Sequence, residues 1–149
     1  MATLQDRLKD EMKQAMRDRK KERLGVIRLI MAAIKQKQVD ERIVLDDEQV
    51  IVVLDKMLKQ RRESIKQYRE AGREELAEVE EAEILVIQDF LPQALTKDEI
   101  ATMVQAAITD CSASSIKDMG KVMAILKPAM QGRADMSVVS VQIKAMLAT

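Results

Sequence analysis

The residues of this chain best suited to binding a ligand are basic side chains that recur at helical spacing. Lys59, Arg62 and Lys66 recur every three or four residues, with Lys56 and Arg69 on either side of them. Side chains at that spacing share one face of a helix. A row of cations suits phosphate neutralisation, which supplies most of the affinity for nucleic acids. The alternative is an ordinary solvated helix face, and the sequence leaves both open.

A second basic group lies where a helical hairpin is predicted to turn. Lys20 and Lys21 stand there with Arg23. At the end of a hairpin, long cationic side chains can reach a phosphate backbone. A purely solvated turn is the alternative reading.

A third group lies in the last third of the chain. Lys117 and Lys121 are about one helical turn apart, and Gly120 between them permits close approach of a neighbouring helix or of a ligand. Arg133 follows Gly132 in a turn, where it could contact phosphate or pair with Asp135 or a helix end. These residues complete the candidate phosphate-binding set.

The residue inventory excludes several kinds of catalysis. The chain has no histidine and only one cysteine, Cys111. Ser–His, Cys–His and His-ligated metal chemistry are therefore impossible, and a cysteine-based metal site is not predicted. The sequence also lacks a phosphate-binding loop of the Gly-x-x-x-x-Gly-Lys-Ser/Thr kind. We predict no catalytic residue, no metal site and no cofactor.

Charge is balanced overall but unevenly distributed. The chain has 25 basic and 25 acidic side chains. Residues 1–38 have eleven Lys or Arg and five Asp or Glu, a net charge of +6, whereas residues 73–91 have a net charge of −6. A general coating of nucleic acid is excluded, but binding by a local basic surface is not.

The apolar pattern predicts an all-α fold with two domains. Residues 1–92 are expected to form an N-terminal domain of about four helices in hairpins, because apolar residues recur at spacings of three and four. Residues 96–149 are expected to form a small domain of about three helices. The predicted helices span residues 3–18, 46–71, 73–91, 97–109, 116–127 and 136–147, and the second helix follows a turn at Asp18–Lys21 and runs to about Gln38.

Some details of these helices can be predicted from single residues. The run Val50–Leu54 resembles a buried strand, but the helical period continues beyond it, so a helix is predicted. Asp46 or Asp47 is expected to cap that helix, and Thr96 with Glu99 forms a capping box. Pro128 is expected to end or kink the sixth helix.

Helix pairing around the predicted turns sets specific partners. Pairing around Gly72 brings Arg61 opposite Glu83, which predicts a buried or half-buried ion pair with a structural role. The same pairing places Val79 on the apolar stripe beside Ile65. In the first hairpin, Met16 is expected opposite Leu24. Tyr68 and Phe90 are both expected in the core, which leaves no aromatic side chain for stacking on bases.

Five segments resemble the YqeY family in order along the chain: Lys59–Ser64, Ala71–Ala77, Leu91–Pro92, Lys117–Met123 and Gly132–Asp135. The family's glycine after the last segment is replaced by Met136. The resemblance implies that the C-terminal domain is similar to the tail domain of the GatB subunit of tRNA-dependent amidotransferase. In that setting the tail contacts tRNA, and other domains do the chemistry.

Three functions follow as hypotheses. The first is a non-catalytic accessory or binding module for tRNA, or for tRNA-processing or aminoacylation machinery. The second is a protein–protein adaptor that binds no RNA. The third is a component of an amidotransferase complex, which would share in a carbon–nitrogen ligase activity with glutamine as amido-N-donor only by association. No apolar run reaches the ~18 residues of a membrane span, and no signal-peptide core is evident, so a cytoplasmic location is expected.

Overall fold

The computed structural model describes residues 3–148, and every regular element in that range is helical. The helices are α1 (Leu4–Arg17), α2 (Lys21–Glu41), α3 (Asp47–Glu70), α4 (Glu74–Gln88), α5 (Lys97–Asp110), a 3₁₀ helix (Ile116–Asp118), α6 (Met119–Met130) and α7 (Met136–Leu147). The all-α prediction is therefore confirmed. The chain forms two compact units, one ending at Leu91 and the other beginning at Pro92.

In the first unit, α1 to α4 enclose one apolar core. Its fully buried side chains include Leu8 from α1, Ile27 and Ile30 from α2, Leu54 from α3 and Ile87 from α4. Every helix of the unit thus contributes to one core. Burial of a Leu or Ile side chain stabilises a fold by about 1.5–3 kcal/mol.

The segment Val50–Leu54 is part of α3, as predicted. Asp46 caps this helix, because its carboxylate accepts a hydrogen bond from the Gln49 amide at 2.9 Å. Val50 and Leu54 are one turn apart and fully buried, whereas Val52 between them is partly exposed. The helical period therefore decides which of the apolar residues face the core.

Three apolar placements predicted for the first unit were wrong. Val79 is 58% exposed and Met16 is 51% exposed, whereas Ala77 and Ala15 are buried in their helices instead. Val79 lies five residues before Ile84, and that spacing turns a side chain about 140° away from the stripe. Tyr68 is only half-buried.

The second unit packs α5, α6 and α7 around a separate core that includes Val104, Val122, Leu126 and Ile143. The predicted capping box is present: the Glu99 amide donates to the Thr96 hydroxyl at 3.1 Å. Asp135 caps α7 by accepting from the Ser137 amide at 3.0 Å.

Pro128 does not end α6. The helix continues two residues further to Met130, whose side chain is fully buried in the core of the second unit. Burial of Met130 offsets the loss of one backbone hydrogen bond at proline.

Candidate nucleic-acid interface

Among the candidate cations of α3, the lysines form no ion pair with a described residue, whereas the arginines are engaged in interactions. Lys59 and Lys66 are exposed and form no ion pair with any residue between 3 and 148. Arg62 is half-buried and is engaged in an interaction. Arg69 pairs with Glu74 at 3.2 Å and with Glu81 on α4, and both hydrogen bonds raise the pKa of its guanidinium. Lys59 and Lys66, with the equally exposed Lys56 beside them, are therefore the described cations of this row that are available to a phosphate.

The hairpin turn between α1 and α2 presents both of its candidate lysines. Lys20 and Lys21 are exposed and have no ion-pair partner in the described part of the chain. Arg23 is withdrawn from the surface, because its guanidinium pairs with Glu11 at 3.1 Å and with Asp89 at 2.7 Å. These contacts raise the pKa of Arg23, the hydrogen bond that it donates to Asp89 most of all.

The C-terminal candidates differ in their environment. Lys117 is exposed without an ion pair among residues 3–148. Lys121 lies 3.7 Å from Asp118, which closes the turn before α6 by accepting from the Ser114 amide at 2.9 Å. That backbone hydrogen bond is the main cause of the lowered pKa of Asp118. Lys121 is therefore partly neutralised, and Lys117 is the freer of the two cations.

Of the two close approaches considered for Gly120, that of a neighbouring helix is absent. A Cβ built on this glycine meets no atom within 4 Å. Gly120 therefore makes no tight helix contact within the described residues.

Arg133 helps to close the second unit. Its guanidinium Nε donates to the Gln93 carbonyl at 3.1 Å, and its own carbonyl accepts from the Leu95 amide at 2.8 Å. Both contacts tie the segment before α5 to the turn before α7. This structural role uses part of the hydrogen-bonding capacity that a phosphate contact would need.

The ion pair expected between α3 and α4 is present. Arg61 Nε donates to Glu83 Oε2 at 2.8 Å, and Glu80 lies 3.9 Å away. Glu80 has a raised pKa because of burial and then because of repulsion from Glu83, with Arg61 opposing both effects. The group is a half-buried charge cluster inside the first unit.

A row of cations on the first hairpin was missed by the sequence reasoning. Lys9 and Lys13 on α1, and Arg28 and Lys35 on α2, are exposed and form no ion pair with another described residue. The net charge of this region indicated an excess of cations, but it did not locate them. The signal that could have found the row is the seven-residue spacing of Lys21, Arg28 and Lys35.

A shallow groove lies between α2 and α4. It has a volume of about 1100 Å³, and Gly25, Leu29, Val79 and Ala82 form much of its apolar lining. Leu29 is 50% exposed there. An apolar groove of this size can accept the side chains of a partner.

Groups suited to other chemistry are dispersed. Over residues 3–148, no cluster of three or more His, Cys, Asp or Glu side chains could hold a metal ion. Cys111 is half-buried at the end of α5, with its Sγ 3.9 Å from the Ile108 carbonyl. No helix of the described residues has both the length and the apolar character needed to cross a membrane.

The fold and these surfaces define an all-helical protein of two compact units whose accessible charges lie on helix faces. The chain belongs to the Yqey-like protein family, whose model matches residues 5–147. It is 30% identical over 130 residues to the Pyrenophora tritici-repentis protein named altered inheritance of mitochondria protein 41, mitochondrial. The aligned residues cover 86% of this chain and 71% of that protein.

Two further relatives show the same range of similarity. An uncharacterised protein of Schizosaccharomyces pombe is 31% identical over 90 residues, or 60% of this chain and 73% of that protein. The Vanderwaltozyma polyspora protein named altered inheritance of mitochondria protein 41, mitochondrial, is 36% identical over 107 residues, or 69% of this chain and 57% of its own length.

Proposed function

We propose that this protein is a non-catalytic, RNA-associated accessory module that acts with tRNA or with tRNA-dependent amidation machinery. The observation that supports the proposal best is that five lysines of the candidate groups are exposed and form no ion pair among residues 3–148: Lys20, Lys21, Lys59, Lys66 and Lys117. A lysine without a protein counter-charge can neutralise a phosphate without first losing an existing ion pair.

The aromatic residues limit the mode of recognition. Phe90 is fully buried and Tyr68 is half-buried. Proteins that read single-stranded RNA stack bases on aromatic side chains. The proposed contact is therefore with the phosphate backbone and shape of a folded RNA.

A salt titration of binding to a tRNA transcript tests this proposal. Fluorescence anisotropy between about 50 and 200 mM salt should show a steep fall in affinity, because released counterions drive phosphate binding. Joint substitution of Lys59, Lys66 and Lys117 with Glu should weaken binding further. Retention of the same affinity by that variant, or no binding by the wild-type protein at low salt, would contradict the proposal.

A matched control is available in the second unit. Lys97, Lys127 and Lys144 are also exposed but belong to none of the candidate groups. Their joint substitution with Glu changes the net charge by the same amount. Binding should fall much less in this control than in the candidate variant.

A second candidate function, a protein–protein adaptor, is favoured by the groove between α2 and α4. Its exposed Leu29 and Val79 would be covered by a helical partner. Substitution of both with Ser should abolish binding of such a partner and leave tRNA binding unchanged. Loss of tRNA binding in this variant would instead assign the groove to RNA.

The remaining alternative is membership of an amidotransferase complex. Glutamine-dependent amidation of misacylated tRNA by the purified chain would overturn the non-catalytic proposal. The compartment also needs a test, since cytoplasm is the expectation from sequence and two relatives are named as mitochondrial. Fractionation of the source cells followed by immunodetection decides between these compartments.

A further inference from the structure

We propose that the α1–α2 hairpin presents a binding face for double-helical regions of a folded RNA. This hairpin basic face consists of Lys9, Lys13, Lys21, Arg28 and Lys35. The inference rests on the proposed function and adds a second binding surface to the lysines of α3 and of the second unit.

The spacing of these cations produces a row along α2. Lys21, Arg28 and Lys35 are seven residues apart, or about two helical turns and about 10 Å. The row is therefore about 20 Å long. Because α2 is continuous from Lys21 to Glu41, the three side chains are presented from a rigid support.

Lys9 and Lys13 extend the same face onto α1. Lys9 lines one shallow groove together with Lys35 and Met31, which places the α1 and α2 cations on one side of the hairpin. Lys13 lies one turn beyond Lys9. The helices thus display two adjacent rows of positive charge, a pattern that a single sequence stripe does not reveal.

These five cations lack the carboxylate partners that neutralise the arginines of the same unit. All five are exposed, and none forms an ion pair with another described residue. Lys9 does act on Asp6, because it contributes to the lowered pKa of that carboxylate after the hydrogen bonds from Thr3. That carboxylate is already committed to the α1 cap, where it accepts from the Thr3 amide at 3.1 Å.

Acidic residues border this face on α1 but lie away from it on α2. Glu22 directly follows Lys21, so its side chain lies about 100° further around α2. On α1, Asp6 and Asp10 lie three residues before Lys9 and Lys13, about 60° around the helix from each lysine, so the charges are segregated on α2 alone. Segregation of this kind raises the local potential although the whole chain has no net charge.

The chemistry of the face favours a duplex over a membrane or a single strand. It contains no aromatic side chain for stacking on bases. The apolar residues between the rows, Leu24 and Met31, are packed against the core of the unit, so they cannot insert among lipid chains as a membrane-surface helix requires. Regularly spaced phosphates on a stiff double helix match cations on stiff helices.

Duplex binding by the full chain tests the inference. The probes are a tRNA transcript and an RNA duplex of about 16 base pairs. The hairpin variant combines Lys9→Gln, Arg28→Gln and Lys35→Gln. We expect its affinity to fall at least about tenfold near 100 mM salt and the slope of log affinity against log salt to decrease by about 2–3.

The control variant combines Lys97→Gln, Lys127→Gln and Lys144→Gln, which removes the same charge from exposed sites of the second unit. Its affinity should stay within about twofold of the wild-type value, since those side chains lie outside the face. Circular dichroism and thermal unfolding of both variants establish that each is folded.

Each adverse result has its own meaning. Steep salt dependence in the wild type with unchanged binding by the hairpin variant overturns this inference and leaves the proposed function standing. No RNA binding by the wild type overturns both. Equal weakening by the two variants would show that net charge alone sets the affinity, and it overturns the hairpin assignment. Binding of the wild-type protein to phosphatidylserine vesicles as tightly as to RNA also overturns it.

Discussion

Arg61 on α3 and Glu83 on α4 are joined by a hydrogen bond of 2.8 Å between Nε and Oε2. Their side chains are only 13% and 25% exposed. Glu80, one turn before Glu83, lies 3.9 Å from the same guanidinium. One cation therefore compensates two carboxylates where α3 and α4 pack together.

Removal of the cation from this cluster should destabilise the first unit. We expect Arg61→Met to lower the free energy of unfolding by about 1–2 kcal/mol, because two partly buried carboxylates lose their partner and water still screens them in part. The chain has one tyrosine and no tryptophan, so the fluorescence of Tyr68 during urea unfolding reports on α3. A double-mutant cycle with Glu83→Gln should show coupling of about 1 kcal/mol; additive effects would contradict a direct interaction.

Glu80 should make the stability of the first unit depend on pH. Burial and the Glu83 charge raise its pKa above 4.5 in the folded protein. The folded state thus binds a proton more tightly than the unfolded state, and this contribution is complete below 4.5 and is lost as pH rises through the raised pKa.

Glu80→Gln should therefore gain stability relative to the wild type as pH increases from about 4 to 7. Urea unfolding monitored by Tyr68 fluorescence at several pH values measures this difference. The exposed Glu78→Gln on the same helix is the control, for which a much smaller pH-dependent difference is expected. A stability difference that shrinks towards neutral pH would contradict the assignment.

Phe90 should be a large single contributor to the first unit. It is fully buried, and the guanidinium carbons of Arg7 and Arg23 lie 5.0 and 5.6 Å from its ring centroid. Arg7 also donates to the Asp89 carbonyl at 2.6 Å. These contacts connect the end of α4 to both α1 and α2.

We expect Phe90→Ala to lower the free energy of unfolding by about 3–5 kcal/mol through loss of core packing. Phe90→Leu retains an apolar side chain but loses the cation–π contacts, so its cost should be about 1–2 kcal/mol. Urea unfolding followed by Tyr68 fluorescence measures both. A negligible cost for Phe90→Leu would show that the arginine contacts contribute nothing.

Two glycines of the first unit should respond in opposite ways to alanine. Gly25 lies within α2, and a Cβ there would meet nothing within 4 Å. Gly25→Ala should stabilise the unit by about 0.5–1 kcal/mol. Gly72 has a φ of +72° after α3, so Gly72→Ala should cost about 1–2 kcal/mol. The same sign for both substitutions in urea unfolding would refute this explanation.

The Thr96 cap should act on the second unit alone. Thr96→Ala removes the acceptor for the Glu99 amide and should cost about 1 kcal/mol, whereas Thr96→Ser should be nearly neutral. Circular dichroism detects the loss, while the Tyr68 transition of the first unit should not move. A shift of the Tyr68 transition would show that the two units unfold together.

The sequence by itself determined the local features of this protein. Thr96 and Asp135 cap helices because a side-chain oxygen reaches an amide only a few residues ahead. The helical nature of Val50–Leu54 followed from a period that continues along the chain. The Arg61–Glu83 pair could be predicted because a short turn at Gly72 fixes which residues of α3 and α4 are opposite each other.

Only the tertiary structure decided which apolar and basic residues remain accessible. Val79 is ambiguous by spacing, since it lies three residues after Leu76 but five before Ile84, and the packing of α4 against α2 and α3 buries Ala77 instead. Arg23 is neutralised by Asp89, 66 residues later, whereas Lys35 has no such partner in the described range. These outcomes depend on contacts between helices far apart in sequence, which local spacing does not encode.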